Sequence, residues 1–168
     1  GSGASRLVSG TLPPHTRLET SLATFKGTEA ALLFGAGYLA NIGIIPNLIG
    51  QGGLILADRL CHASLIDGCR LSRADLRVFR HRDCAHLESL LRRRSASRPT
   101  LIITEGLFSM DGDLAPLSDL ASLAERYEAT LYVDDAHGTG IMGPNGRGTV
   151  EHFGLEQRIP FHMGTLSK

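Results

Sequence analysis

The last residues of the sequence carry groups that can form a Schiff base and bind a phosphate. Thr165 and Ser167 flank Lys168 in the motif Gly-Thr-Leu-Ser-Lys, and Asp134 and His137 stand upstream in Asp-Asp-Ala-His-Gly-Thr-Gly. A lysine amine can condense with an aldehyde, a carboxylate can keep a pyridine nitrogen protonated, and hydroxyls can donate to a phosphate. Pyridoxal 5′-phosphate (PLP) needs all three, so the pattern predicts a PLP site.

Two earlier segments could complete such a site. The Gly-Ala-Gly-Tyr turn that contains Gly37 and Tyr38 opens a predicted helix, where glycines and free N–H groups favour a phosphate. It is neither a P-loop nor a full dinucleotide fingerprint, because Ala40 occupies the third glycine position. His62 follows another predicted strand and could stack on a bound ring. A plain helix-opening turn and a helix-capping histidine are the structural alternatives.

The loop from Glu105 to Asp113 carries a second group of polar side chains. Its Glu, Ser and two Asp residues could suggest a metal site, but the spacing does not match an EF-hand, and Gly112 between two acids is also typical of a turn. Ser109 could instead donate to a ring oxygen. We therefore predict no metal.

Composition limits the classes of function. Lys plus Arg and Asp plus Glu number 17 each, so bulk charge does not indicate binding to nucleic acid or to an acidic membrane. Cys61, Cys69 and Cys84 contain no CxxC pair, which favours the reducing cytoplasm. Residues 30–57 carry no charge, but glycines and a proline divide them into pieces too short for a membrane span. The 168 residues suffice for one core and one domain.

Hydrophobic periodicity predicts the elements that position these groups. Strands are predicted at residues 30–34, 54–57, 76–79, 101–104 and 131–133, with helices at 16–25, 38–49 and 63–71, after Asp83 as N-cap, and after Pro116. Such alternation predicts an α/β fold with a mostly parallel sheet and helices on both faces. Ligands of these sheets bind beyond the carboxyl ends of the strands.

The motifs together resemble those of the α-oxoamine synthases, a branch of the fold-type-I PLP-dependent transferases. The resemblance covers essentially residues 1–168 and rests on four segments: 105–113, 134–140, 146–148 and 164–168. It implies that the chain is a partial PLP-binding large domain. In this interpretation the domain is truncated, and the family's N-terminal segment and small C-terminal domain are absent.

The resemblance also assigns roles to the phosphate and aldehyde ends of the cofactor. Gly37 and Tyr38 would offer backbone N–H groups to the phosphate, and Thr165 would add a hydroxyl. Lys168 would bind the aldehyde carbon and later move protons.

The remaining roles concern the pyridine ring. His62 would stack on it, Asp134 would pair with its nitrogen, and Ser109 and His137 would contact its phenolic oxygen. Lys168, His62 and Asp134 would be the catalytic residues. Glu105 would be a further pocket residue of unassigned role.

The implied reaction is a decarboxylative condensation of an amino acid with an acyl thioester. The Asp-Asp-Ala-His motif favours L-alanine as the amino acid, with an acyl-CoA or acyl-carrier protein as the second substrate, in a homodimer. The alternatives are a glycine- or serine-using relative and a non-catalytic partner subunit, against which Lys168 argues. A nicotinamide-dependent dehydrogenase is disfavoured by the missing third glycine.

Overall fold

The computed structural model describes residues 3–168 and divides into two compact units, one up to Gly35 and one from Ala36 to Lys168. The first unit contains α1 (Arg6–Ser9) and α2 (Pro13–Lys26). Prolines open α2, where a missing N–H costs nothing, and Gly27 ends it with a φ of 69° in the left-handed region. The sequence therefore predicted α2 and its C-terminal stop correctly.

The strand predicted at residues 30–34 is wrong. These residues have no regular secondary structure, and side chains satisfy the backbone of Leu33. Its N–H donates to the Glu19 carboxylate at 2.9 Å, and its carbonyl accepts from the Arg6 guanidinium at 3.4 Å. Arg6 and Glu19 also pair with each other at 2.6 Å. An apolar segment can thus satisfy its backbone without a neighbouring strand.

The second unit contains a five-stranded parallel sheet in the order β2-β1-β3-β4-β5. Its strands are β1 (Leu54–Asp58), β2 (Asp75–Phe79), β3 (Thr100–Glu105), β4 (Thr130–Asp134) and β5 (Phe161–Met163). Its helices are α3 (Gly37–Leu48), α4 (Ala63–Ser72), α5 (Cys84–Arg92), α6 (Leu117–Arg126) and α7 (Thr149–His152). The prediction of a parallel α/β fold is confirmed; β5, α1 and α7 were not predicted.

The sheet is most buried at its centre. Every residue of β1 and β3 is buried, whereas the edge strand β2 is mostly exposed. Strands covered on both sides need continuous apolar runs, and the Leu-Ile-Leu-Ala and Leu-Ile-Ile sequences provide them. The core around them includes Leu56, Ile102 and Val133, together with Leu117 and Leu120 from α6.

Two local features position the strand ends. The Asp83 carboxylate accepts the His86 N–H at 2.8 Å, which confirms the predicted N-cap of α5. The register pairs Glu105 with Asp134, and Asp134 with Met163, so the carboxyl ends of β3, β4 and β5 lie side by side.

Among residues 3–168, no helix has the length and apolarity needed to cross a membrane.

Candidate functional site

Asp134, the last residue of β4, is a buried acid whose hydrogen-bond partners are neutral. Its side chain accepts from the Asn41 amide at 2.7 Å and from the Ala136 N–H at 3.0 Å, and the residue is only 5% exposed. Burial raises the pKa of Asp134, although these two hydrogen bonds and the charges of His62 and His137 oppose the rise. A cationic N–H, such as that of a pyridinium ring, would add an opposite charge in direct hydrogen-bond contact with this carboxylate.

Asn41 is a site residue that the sequence reasoning missed. It is completely buried in α3, and its amide also contacts Ser64 Oγ at 2.9 Å and the Tyr132 hydroxyl at 2.7 Å. A signal was present, because Asn41 lies four residues before buried Ile45 on the inner face of an apolar helix. A lone amide at such a position needs hydrogen-bond partners from other elements.

His62 is the N-cap of α4 and lies next to the acids at the strand ends. Its backbone N–H donates to Glu105 Oε1 at 2.7 Å, and its ring Nδ1 accepts from the Ser64 N–H at 3.2 Å. The capping alternative is therefore real, but it occupies only Nδ1 and leaves the exposed ring available for stacking.

Glu105 lies directly beside Asp134 in the sheet register and is 4% exposed. Burial and the neighbouring Asp134 charge raise its pKa to about 7, against the lowering effect of the His62 and Ser109 backbone hydrogen bonds. The Ser109 side chain lies on the exposed loop that follows β3. Glu105 thus fixes the backbones of two predicted ring-contacting residues.

The glycine turn and the segment after β5 are in direct contact. A Cβ on Gly37 would lie 2.7 Å from Thr165 Cγ2, so any larger residue at position 37 would displace the Thr165 side chain. Gly37 is the first residue of the 12-residue helix α3, whose opening N–H groups lack intrahelical partners. The Thr165 hydroxyl donates to the Ala136 carbonyl at 3.2 Å and can rotate toward a ligand. Such a cradle fits a phosphate.

The other three predicted residues take different positions. The Tyr38 hydroxyl donates to Asp67 at 2.9 Å and its side chain is exposed, which leaves its backbone N–H near the start of α3 for the predicted role. His137 is partly buried in the turn after β4, near enough to lower the pKa of Asp134. Lys168 is exposed beyond the end of β5.

The cluster that could suggest a metal joins the loop after β3 to His81, which follows β2. His81, Asp111 and Asp113 place one ligand atom each within 4.8 Å of one another. His81, however, bridges Asp58 at 2.9 Å and Asp113 at 3.0 Å, and Arg82 contacts Asp113 at 2.8 Å. These contacts already pair Asp58 and Asp113 with basic groups and connect the loop after β3 to the ends of β1 and β2.

The fold and this site agree with the family to which the sequence belongs. The model of the aminotransferase class I and II family matches residues 1–168, so the chain is a member of that family. The resemblance to the α-oxoamine synthases is confirmed by relatives named 8-amino-7-oxononanoate synthase. The one from Citrifermentans bemidjiense is 58% identical over 168 residues, and the one from Geobacter sulfurreducens is 56% identical.

Solved structures give the same result. A serine palmitoyltransferase from S. paucimobilis with a bound PLP–myriocin aldimine matches 99% of this chain with a TM-score of 0.95 and 41% identity. The chain spans only part of these proteins: 43% of each of the two sequence relatives and 42% of the solved chain. The likeness therefore establishes the family and fold of this chain.

Proposed function

We propose that the complete protein is a PLP-dependent acyltransferase that condenses L-alanine with a pimeloyl thioester, of CoA or of a carrier protein. The products would be 8-amino-7-oxononanoate, CO2 and the free thiol, in biotin biosynthesis. The observation that carries the PLP assignment is the buried Asp134 carboxylate with its neutral partners. The choice of alanine rests on sequence relatives named 8-amino-7-oxononanoate synthase, two of which are 58% and 56% identical over the whole chain.

The residues of the chain fit the cofactor from end to end. When bound, PLP supplies an electron sink that stabilises negative charge at the amino-acid Cα. Asp134 would keep the ring nitrogen protonated. The start of α3 with Gly37, Tyr38 and Thr165 would bind the phosphate. Lys168 would hold the cofactor and then, as a free amine, take the Cα proton.

The remaining predicted residues would act around the ring and the substrate. His62 would stack on the ring and orient the substrate carboxylate, while Ser109 and His137 would donate to the ring oxygen. The free cysteines Cys61 and Cys69 favour a cytoplasmic enzyme. We also propose a homodimer, as the resemblance implies.

The test is a set of visible difference spectra of the PLP-loaded complete protein with L-alanine, glycine and L-serine. An absorbance change strongest for L-alanine, followed by thiol release on addition of pimeloyl-CoA, is expected. Lys168→Ala should abolish turnover while PLP still binds non-covalently. A preference for glycine or serine would transfer the proposal to a sister activity, and absence of any cofactor spectrum would refute it.

A further inference from the structure

We propose that Asn41 is a positioning residue that fixes two catalytic groups at once. One amide hydrogen holds the Asp134 carboxylate, and the other acts through Ser64 to set the tautomer of His62. The inference rests on the proposed function only for its catalytic consequence. The hydrogen-bond network itself belongs to the protein without cofactor.

The direction of each hydrogen bond at Asn41 follows from its partners. The Asp134 carboxylate can only accept, so the Asn41 amide atom that contacts it is Nδ2, and Oδ1 accepts from the Tyr132 hydroxyl at 2.7 Å. Nδ2 then donates to Asp134 Oδ2 at 2.7 Å and to Ser64 Oγ at 2.9 Å. Both amide hydrogens are used and every group is buried, so a rotated amide would place its oxygen against the Asp134 carboxylate with no hydrogen between them.

The hydrogen bond from Asn41 also determines where the Ser64 hydroxyl hydrogen points. The Ser64 oxygen already accepts from Asn41, and its single hydroxyl hydrogen is free to point at His62 Nδ1, 2.8 Å away. The Ser64 backbone N–H donates to the same nitrogen at 3.2 Å. Nδ1 therefore receives two donors, and a proton on it would oppose both. The neutral ring must carry its proton on Nε2.

The consequence is a histidine prepared to donate from its far nitrogen. Nδ1 faces the protein network, so Nε2–H is left for the substrate carboxylate or a developing oxyanion. The same amide prevents the Asp134 carboxylate from rotating. The acid that would pair with the ring nitrogen and the histidine that would stack on the ring would thus both be positioned by the Asn41 side chain.

The decisive variant is Ser64→Ala, with Ser72→Ala as its control. Both serines are buried in α4, but the Ser72 hydroxyl donates to the Cys69 carbonyl and has no part in the network. The measurement is the 15N spectrum of the His62 ring nitrogens in the cofactor-free complete protein. Wild type and Ser72→Ala should show an unprotonated Nδ1. In Ser64→Ala the tautomer ratio should fall roughly tenfold, as for the loss of one hydrogen bond.

A kinetic measurement separates this inference from the proposed function. Ser64→Ala should lower kcat about tenfold with PLP affinity unchanged, while Asn41→Leu should weaken PLP binding as well, because it also frees Asp134. An Nδ1-protonated wild-type ring, or equal spectra for Ser64→Ala and wild type, would overturn the inference. If the spectra change as expected but no PLP binds, the proposed function is wrong and the network stands.

Discussion

Asp58 and Asp134 are two acids in equivalent places with opposite surroundings. Each is the last residue of a parallel strand, and they are 1% and 5% exposed. Asp58 contacts the His81 imidazole at 2.9 Å and accepts N–H groups from Leu60 and Arg82. In the described part of the chain, Asp134 accepts from two neutral groups, the Asn41 amide and the Ala136 N–H.

The difference shows that position at a strand end does not by itself define a ligand site. Asp58 already has a basic partner from its own chain, and its contacts fasten the loop that carries Asp113. Asp134 is equally buried, but its hydrogen bonds within residues 3–168 come from neutral groups, which leaves it suited to a cationic ligand. The partners of a buried acid distinguish a structural role from a binding role.

The strongest test of this comparison is to remove each charge in turn. Asp134→Asn should reduce turnover of the PLP-loaded complete protein by about 10²–10³-fold, since a buried ion pair would lose one partner. Asp58→Asn should keep kcat within about tenfold and lower the melting temperature instead. Steady-state kinetics and thermal unfolding measure both. Equal kinetic losses in the two variants would show that the comparison is wrong.

Glu105, a third buried acid at a strand end, should make the stability of the protein depend on pH. Its pKa is raised to about 7, so between about 4.5 and 7 the folded protein holds a proton that the unfolded chain has released. The stabilisation is full at low pH and is lost as pH rises through 7. In the cofactor-free protein, the free energy of unfolding should decrease between low and high pH. Glu105→Gln should make this decrease smaller by up to about 3 kcal/mol.

Urea unfolding at pH 5 and pH 8 measures the effect. The control is Glu125→Gln at an exposed acid whose pKa is lowered by its hydrogen bond to Arg158. In that variant the decrease in unfolding free energy from pH 5 to pH 8 should be as large as in the wild type. A wild-type stability that rises over this pH range would contradict the assignment to Glu105.

The phosphate end can be tested by steric replacement. In Gly37→Ala the new methyl group would lie 2.7 Å from Thr165 Cγ2, and PLP affinity should fall about tenfold. Adding Thr165→Ser keeps the hydroxyl, removes the methyl group in the way, and should restore most of the affinity. Spectroscopic titration with PLP measures this. Failure of the second change to rescue would argue against the proposed cradle.

The smallest expected effect comes from the loop-fastening histidine. Burial lowers the pKa of His81, but its hydrogen bonds to Asp58 and Asp113 raise it more. Its stabilisation is therefore present at low pH and is lost as pH rises through the folded-state pKa. His81→Gln should cost about 1 kcal/mol at pH 6 and less at pH 8 by urea unfolding. An equal cost at both pH values would exclude a charged role.

The sequence predicted the elements with strong periodicity and failed where side chains replace a strand partner. The buried strands and the amphipathic α6 follow directly from their apolar patterns. Residues 30–34 have a similar apolar pattern, but Arg6 and Glu19 satisfy the backbone there. Such long-range side-chain contacts leave no local signal.

The candidate site also contains residues that the sequence indicated and one that it did not. Asp134, His62 and Thr165 could be predicted because each follows a strand or lies in a family motif. The apolar pattern of α3 places Asn41 on a buried face, but it does not identify its partners, which come from α4 and β4 and are distant in sequence. Its burial became meaningful only when those elements were brought together.

The contact between Gly37 and Thr165 also constrains the order of assembly. In the sequence these residues lie near the two ends of the second unit, so their contact closes one of its longest chain loops. Local pairs, such as β1 with β2, cost less chain entropy and can form earlier. We therefore expect the proposed phosphate cradle to form late, together with the pairing of β5 with β4. Cofactor binding would then require that this unit has already folded.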